Sequence, residues 1–309
     1  MTLFLLATIL PIAILFLLRK QKKLRKGLLP SSPPGLPFIG NLHQFDTSTH
    51  IYLWKLSKKY GPLMSMKLGL VPLLLVSSPK IAKEVLKTLD LAFCSRPRAL
   101  GQDKLSYNRL DVTLAPYSES WRELRNIYIL HLLSNKQVQS FRPIHEEEVF
   151  CMIRNISVKA CLGQVISLSV TRFSLTSTLI CRIAFGKIYH DEGLERRRFN
   201  ELMIESQAMK GGLFESDYLP SFGWVDKLSG MIDRLDKTFK DLDEFYQELI
   251  DELMDPSRPK SVNPNILDLL IQFKEEQSCS IDLTWDHIKA ILMSITQQKE
   301  FTVISFYHS

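Results

Sequence analysis

The chain has 309 residues, with 39 Lys or Arg against 33 Asp or Glu, a formal +6. Six of the basic side chains (Arg19, Lys20, Lys22, Lys23, Arg25 and Lys26) lie in the first 27 residues, which hold no acid, so the rest carries 33 of each sign. A neutral body has no excess cation to meet phosphates, which weighs against nucleic acid as a partner, and 45% apolar with 23% charged residues excludes intrinsic disorder.

From Leu3 to Leu18 the chain runs uncharged for sixteen residues. At about 1.5 Å per residue this run spans roughly 24 Å, and snorkelling of Arg19 and Lys20 brings it to membrane thickness. The pattern predicts one transmembrane signal anchor over 1–18. No Lys or Arg precedes the run and no small-x-small site follows it, which argues against a cleaved signal peptide. The basic segment 19–29 lies on the carboxyl side, so the body is expected in the cytosol. Five scattered cysteines (Cys94, Cys151, Cys161, Cys181 and Cys279) without a CxxC pair agree with a reducing compartment. The sequon Asn155-Ile156-Ser157 is then expected to carry no glycan.

Residues 30–42 are rich in proline and predict a stiff spacer or hinge. Residues 63–68 alternate, with Met64, Met66 and Leu68 on one face, and after Gly69 the apolar run 71–76 reads as the hairpin partner. Ser78-Pro79 is a helix start. Beyond it, apolar recurrence at three and four predicts helices over 121–133, 144–160, 167–185, 197–210, 225–253, 264–276 and 284–295. The expected fold class is mainly α with a minor β-sheet.

Self-contained catalytic motifs fail. His145-Glu146-Glu147-Glu148-Val149 begins like the zinc-peptidase helix motif but has Val149 where the second imidazole must be, and no phosphate-binding glycine loop or nucleophile elbow occurs. Two features remain. Trp121 and Arg125 stand four apart on one helix face, where an indole N–H and a guanidinium together suit a carboxylate; core packing and surface charge are the plainer reading of the same pair. The segment 214–224, with Phe214, Tyr218, Leu219, Phe222 and Trp224, is either a membrane-interface loop or one folded onto its own core.

An ordered series of segments resembles a microsomal cytochrome P450 of the plant A-type group. The anchor leads into Pro33-Pro34-Gly35-Leu36-Pro37-Phe38-Ile39-Gly40-Asn41, then Tyr60-Gly61-Pro62, Phe93-Cys94-Ser95-Arg96-Pro97, Ala115-Pro116-Tyr117, Trp121-Arg122-x-x-Arg125 and Pro220-Ser221-Phe222-Gly223-Trp224-Val225-Asp226. The resemblance covers residues 1 to about 295 and assigns 43–295 to the amino-terminal part of the P450 domain. It implies a haem cofactor, with Trp121 and Arg125 binding a propionate and Arg96 as a third partner. It implies that residues 98–112 lie over the haem and that residues near 203–214 line an access channel. It further implies a small lipophilic substrate, an NADPH-dependent cytochrome P450 reductase as electron donor, and a place in the endoplasmic reticulum membrane.

The chain departs from the family in its last part. Residues 284–295 resemble the start of the long central helix, but Thr296-Gln297-Gln298-Lys299-Glu300 replaces the acid–threonine motif, and 296–309 reads as a non-family tail. None of the five cysteines stands in the Phe-x-x-Gly-x-Arg-x-Cys context of the family's axial thiolate. The expectation is a chain that is inactive alone, or a non-catalytic membrane fragment pairing with full-length relatives or the reductase. Its apolar face along 228–253 is then expected to be left exposed.

Overall fold

The computed structural model describes residues 30–44, 49–189, 193–257, 264–276 and 281–297. The expected anchor 1–18, the basic segment 19–29 and the chain from 298 onward lie outside the described residues. Among the described residues no helix is long and apolar enough to cross a membrane. The chain divides into two compact units, 1–93 and 94–309.

In the first unit the helix Thr49–Tyr60 leads into the antiparallel strands β1 (Leu63–Leu68) and β2 (Val71–Val76), which form a two-stranded sheet with Leu63 opposite Val76 and Leu68 opposite Val71. Met64 and Met66 are buried on the predicted face. Gly69 supplies the positive φ that a tight hairpin turn requires. The proline-rich stretch is held against the sheet instead of standing off as a spacer. The backbone N–H of Asn41 donates to the Lys67 carbonyl, and the Ser65 N–H donates to that of Ser31. The buried Asn41 amide accepts from the Lys67 N–H at 3.1 Å and donates to the Pro34 carbonyl at 3.3 Å. Gly40 has no alternative here, because a Cβ would lie 2.1 Å from the Lys67 carbonyl oxygen.

The second unit is helical. Its main helices are Glu119–Ile127, Arg142–Cys161, Leu168–Phe185, Leu194–Lys210, Met231–Leu253, Ile266–Glu275 and Trp285–Gln297. The Trp285–Gln297 helix is buried without a break from Ile288 to Thr296, so the other helices pack around that stretch. Phe185, Phe199, Phe245 and Tyr246 meet edge-to-face or tilted with centroids 5.6–6.5 Å apart, the geometry aromatic quadrupoles favour. Arg198 grips Glu248 at 2.6 and 2.9 Å, and Arg234 grips Glu205 at 2.5 and 2.8 Å. These crossed pairings fix the 194–210 and 231–253 helices as antiparallel.

Four expectations change. The helix predicted over 121–133 begins at Glu119, because Ser118 caps it by accepting the Trp121 N–H, and it ends in a π-helical turn over Tyr128–Leu132. The helix predicted over 225–253 is two helices, Gly223–Leu228 and Met231–Leu253, divided by Gly230 at φ 74°. The stripe expected to be exposed is covered: Leu235, Leu242, Phe245 and Leu249 are buried against neighbouring helices, and only Leu228 at the broken end is strongly exposed. The helix predicted over 284–295 also runs further than expected. Thr296 is buried, its hydroxyl 2.9 Å from that of Tyr246, and the helix runs on through Gln297.

The 214–224 segment is folded onto the core at one end and exposed at the other. Phe214 is fully buried, while Phe222 and Trp224 stack on each other at 6.4 Å in solvent. Asp226, itself buried, accepts the N–H groups of Glu215 (2.8 Å) and Ser216 (3.0 Å) and so fixes the turn Glu215–Tyr218. Burial opposes ionisation of Asp226, but the hydrogen bonds from Ser216 and Glu215 outweigh it and hold its carboxyl below the usual range.

Candidate functional site

The predicted site residues come together around one stretch of backbone. Trp121 and Arg125 share a face of the 119–127 helix, as their spacing requires, and the Arg125 guanidinium lies 5.4 Å from the centre of the Trp121 ring, a cation–π distance. Tyr117 also meets the indole, with ring centroids 5.5 Å apart. Arg125 is exposed and makes no hydrogen bond or ion pair among the described residues. Its neighbour Arg122 is already engaged, with two hydrogen bonds to the Tyr117 hydroxyl at 2.6 and 3.1 Å.

The indole N–H does not stand free for an incoming carboxylate. It donates to the Val112 carbonyl at 2.8 Å. Arg96 donates from Nε to the next carbonyl, that of Thr113, at 3.3 Å. Trp121 therefore acts as a platform beneath Arg125, and Arg125 is the open donor at this corner.

The loop presented to these groups is tightly held. Tyr107, Asn108 and Arg109 have φ of 51°, 58° and 70°, a left-handed turn that costs L-residues roughly 1–2 kcal/mol each. Several contacts offset that cost. The Tyr107 hydroxyl donates to Asp243 at 2.8 Å, and Lys289 donates to the same carboxylate oxygen at 2.6 Å. Burial first, then the hydrogen bond to Asp243 and its charge, push the Tyr107 phenol far above its ordinary range, so it stays a donor. Asp111 is fully buried; it accepts the Leu114 N–H at 3.1 Å and the Ser294 hydroxyl. The Thr113 hydroxyl lies 3.4 Å from that same Ser294. Tyr107 and Asp111 thus tie the second half of 98–112 to the 231–253 helix and the central helix.

Lys210, at the end of the 194–210 helix, has its pKa lowered by burial, with the Asp111 charge opposing the shift. Within 203–214, Met203, Ser206, Met209 and Phe214 are packed in the core, and Leu213 is exposed. Sequence reasoning missed Arg109, Asp111 and Ser294. Loops lack periodicity, and Asp111 and Ser294 meet across 183 positions, so no local signal marks them.

Among the described residues no group of three or more His, Cys, Asp or Glu is arranged to hold a metal ion. His145 is buried, with Nδ1 2.9 Å from the Phe141 carbonyl at the start of its helix. Of the described thiols, burial pushes Cys181 up to about 12, with the Arg196 charge pulling back; Cys94 and Cys151 are partly buried and Cys161 is exposed.

A helical unit built on a buried central helix, with an arginine-on-tryptophan corner beside a pinned loop, defines a fold class known from solved structures. A zebra fish cytochrome P450 solved with progesterone aligns with a TM-score of 0.62 and 22% identity, over 84% of this chain and 56% of that one. The cytochrome P450 profile matches residues 30–297, and the chain belongs to the cytochrome P450 family.

Its relatives include a 6,7,8-trihydroxycoumarin synthase of Pastinaca sativa, 49% identical over 92% of this chain and 56% of that protein. A 5-OH-xanthotoxin synthase of Ammi majus is 46% identical over the same shares. Such relatives place the chain in the plant A-type group. The chain spans about half the length of the curated relatives it matches.

Haem is the family's cofactor. The residues present fit one edge of it: Arg125 is an uncommitted guanidinium held on an indole, with a second guanidinium, Arg96, on the adjoining loop. None of the five cysteines has the sequence context of the family's iron ligand.

Proposed function

We propose that this chain is the amino-terminal part of a haem-thiolate monooxygenase that inserts one oxygen atom from O2 into a small lipophilic plant secondary metabolite. The names of the relatives point to a planar, oxygenated aromatic of the coumarin type as substrate. When bound, haem supplies the oxygen-activating chemistry. The chain's own residues hold its edge: Arg125 receives a propionate, Trp121 fixes the height and direction of that guanidinium, and Arg96 adds positive charge beside it.

Electrons come from an NADPH-dependent reductase. The apolar run 1–18 anchors the protein in the endoplasmic reticulum membrane, with the basic residues 19–26 turning the body toward the cytosol. The alternative, a non-catalytic fragment that needs a partner to cover the 228–253 stripe, loses its main motive because that stripe is buried within the chain.

The observation that carries the reading is the convergence of Arg96 and Trp121, from separate segments of the chain, on the neighbouring carbonyls 113 and 112, with Arg125 resting on the Trp121 ring. Haemin titration of the full chain followed at the Soret band is the test. A charge-assisted hydrogen bond contributes about 1.5–3 kcal/mol, so Arg125→Ala is expected to weaken haemin binding by about tenfold or more. Equal affinity in the two proteins would remove the propionate role. In the same preparation the reduced carbon-monoxide difference spectrum is expected to lack the thiolate-type peak; its presence would show that one of these five cysteines ligates iron.

A further inference from the structure

Three consecutive carbonyls, those of Val112, Thr113 and Leu114, each accept a hydrogen bond from a different side chain. Trp121 takes the first, Arg96 the second and Arg109 the third. Arg109 does more than fill its place in this row. Its Nε donates to the Leu114 carbonyl at 2.7 Å, while one terminal nitrogen donates to the backbone carbonyl of Arg96 at 2.8 Å. One planar guanidinium therefore ties the chain entering the loop to the chain leaving it.

We infer that Arg109 is a positioning residue that assembles the propionate corner before any cofactor arrives; the inference rests on the propionate reading of Arg125 and Arg96. The left-handed turn at 107–109 is what sends this side chain back across its own loop. The turn is held from both sides, since Ser106 Oγ accepts the Arg109 N–H at 3.0 Å and Tyr107 is bound to Asp243. The Arg109 side chain is only 10% exposed, and its nearest carboxylate, Asp103, is 3.8 Å away and already engaged by Arg98 at 2.7 Å. Backbone carbonyls, rather than a counter-ion, are its main partners. That is a task for a fork of fixed geometry: two nitrogens of one rigid plane reach the two carbonyls, whereas Lys carries the same charge on a single nitrogen at the end of a flexible stem. Without the strap, the Arg96 backbone is released from Leu114, and the row of carbonyls that orients Trp121 and Arg96 loses its end.

The full 309-residue chain provides the test, as wild type, Arg109→Lys and Arg109→Gln. Amide hydrogen exchange is measured without haemin, and haemin affinity by Soret titration. Both variants are expected to exchange peptide 110–116 at least tenfold faster and to bind haemin at least tenfold more weakly, with exchange in 231–253 unchanged. Failure of Lys to rescue separates geometry from charge. Wild-type exchange and affinity in Arg109→Lys would overturn the inference. If Arg109→Gln loosens 231–253 as well, that variant reports general unfolding and Arg109→Lys alone decides. If wild type takes up no haemin, the propionate reading fails first, and unchanged exchange at 110–116 in both variants would then overturn the strap itself.

Discussion

Phe185→Ala is expected to destabilise the chain by about 3–5 kcal/mol, the range for truncating a fully enclosed aromatic. Phe185 ends the 168–185 helix and is enclosed by Phe199 of the 194–210 helix and by Phe245 and Tyr246 of the 231–253 helix. Its removal leaves a cavity at the point where three helices meet, and rigid neighbours close such a gap only partly. Tyr246 is in turn bound to Thr296, so the disturbance reaches the central helix. Urea unfolding reads the loss as a lower midpoint at unchanged slope. Phe150→Ala, on a ring 65% exposed on the 142–161 helix, is the control and is expected within about 0.5 kcal/mol of wild type. Equal losses at the two positions would mean that the aromatic cluster is not the core.

Asp243→Ala is expected to cost about 3 kcal/mol, the low end for breaking a buried pair. The side chain of Lys289 is only 8% exposed, on a helix whose other buried residues are mostly apolar, and Asp243 is its salt-bridge partner. The Asp243 side chain is 38% exposed, and water on that side moderates the cost. The substitution also leaves the Tyr107 hydroxyl without its acceptor and frees the left-handed turn at one end. In Asp243→Ala/Lys289→Met the part of the loss owed to the unpaired Lys289 is expected to return, because removing both charges removes the desolvation cost of each, while the Tyr107 hydroxyl still lacks its acceptor. A thermal or urea cycle of the four proteins measures the coupling. A single variant within about 0.5 kcal/mol of wild type would show that Lys289 finds water or another anion.

The two cases differ in how far the sequence foretells them. Leu235, Leu242, Phe245 and Leu249 recur at helical spacing, so a packing face along this segment is legible at once. What that face packs against is not. The expectation of an exposed stripe fails because residues 285–297 and the 194–210 helix already cover it. The break at Gly230 escapes sequence reading for a related reason: apolar recurrence continues across it, and only the backbone shows the positive φ. In the site, Trp121 and Arg125 are legible because four-residue spacing puts them on one face whatever surrounds them. The destination of the indole N–H is not, since its acceptor is a loop carbonyl nine positions earlier that carries no side-chain signature.

By itself the sequence determined the hairpin, most of the helices and the pairing of an arginine with a tryptophan. Those follow from local periodicity and capping, which act within a few residues of chain. It also carried the ordered segments that mark the family. Only the tertiary structure decided that Arg109 straps its own loop, that Asp111 meets Ser294, and that the 231–253 stripe is covered. A buried polar group must find a partner once water is withdrawn, and which partner is in reach depends on how distant segments pack, not on neighbours in the chain.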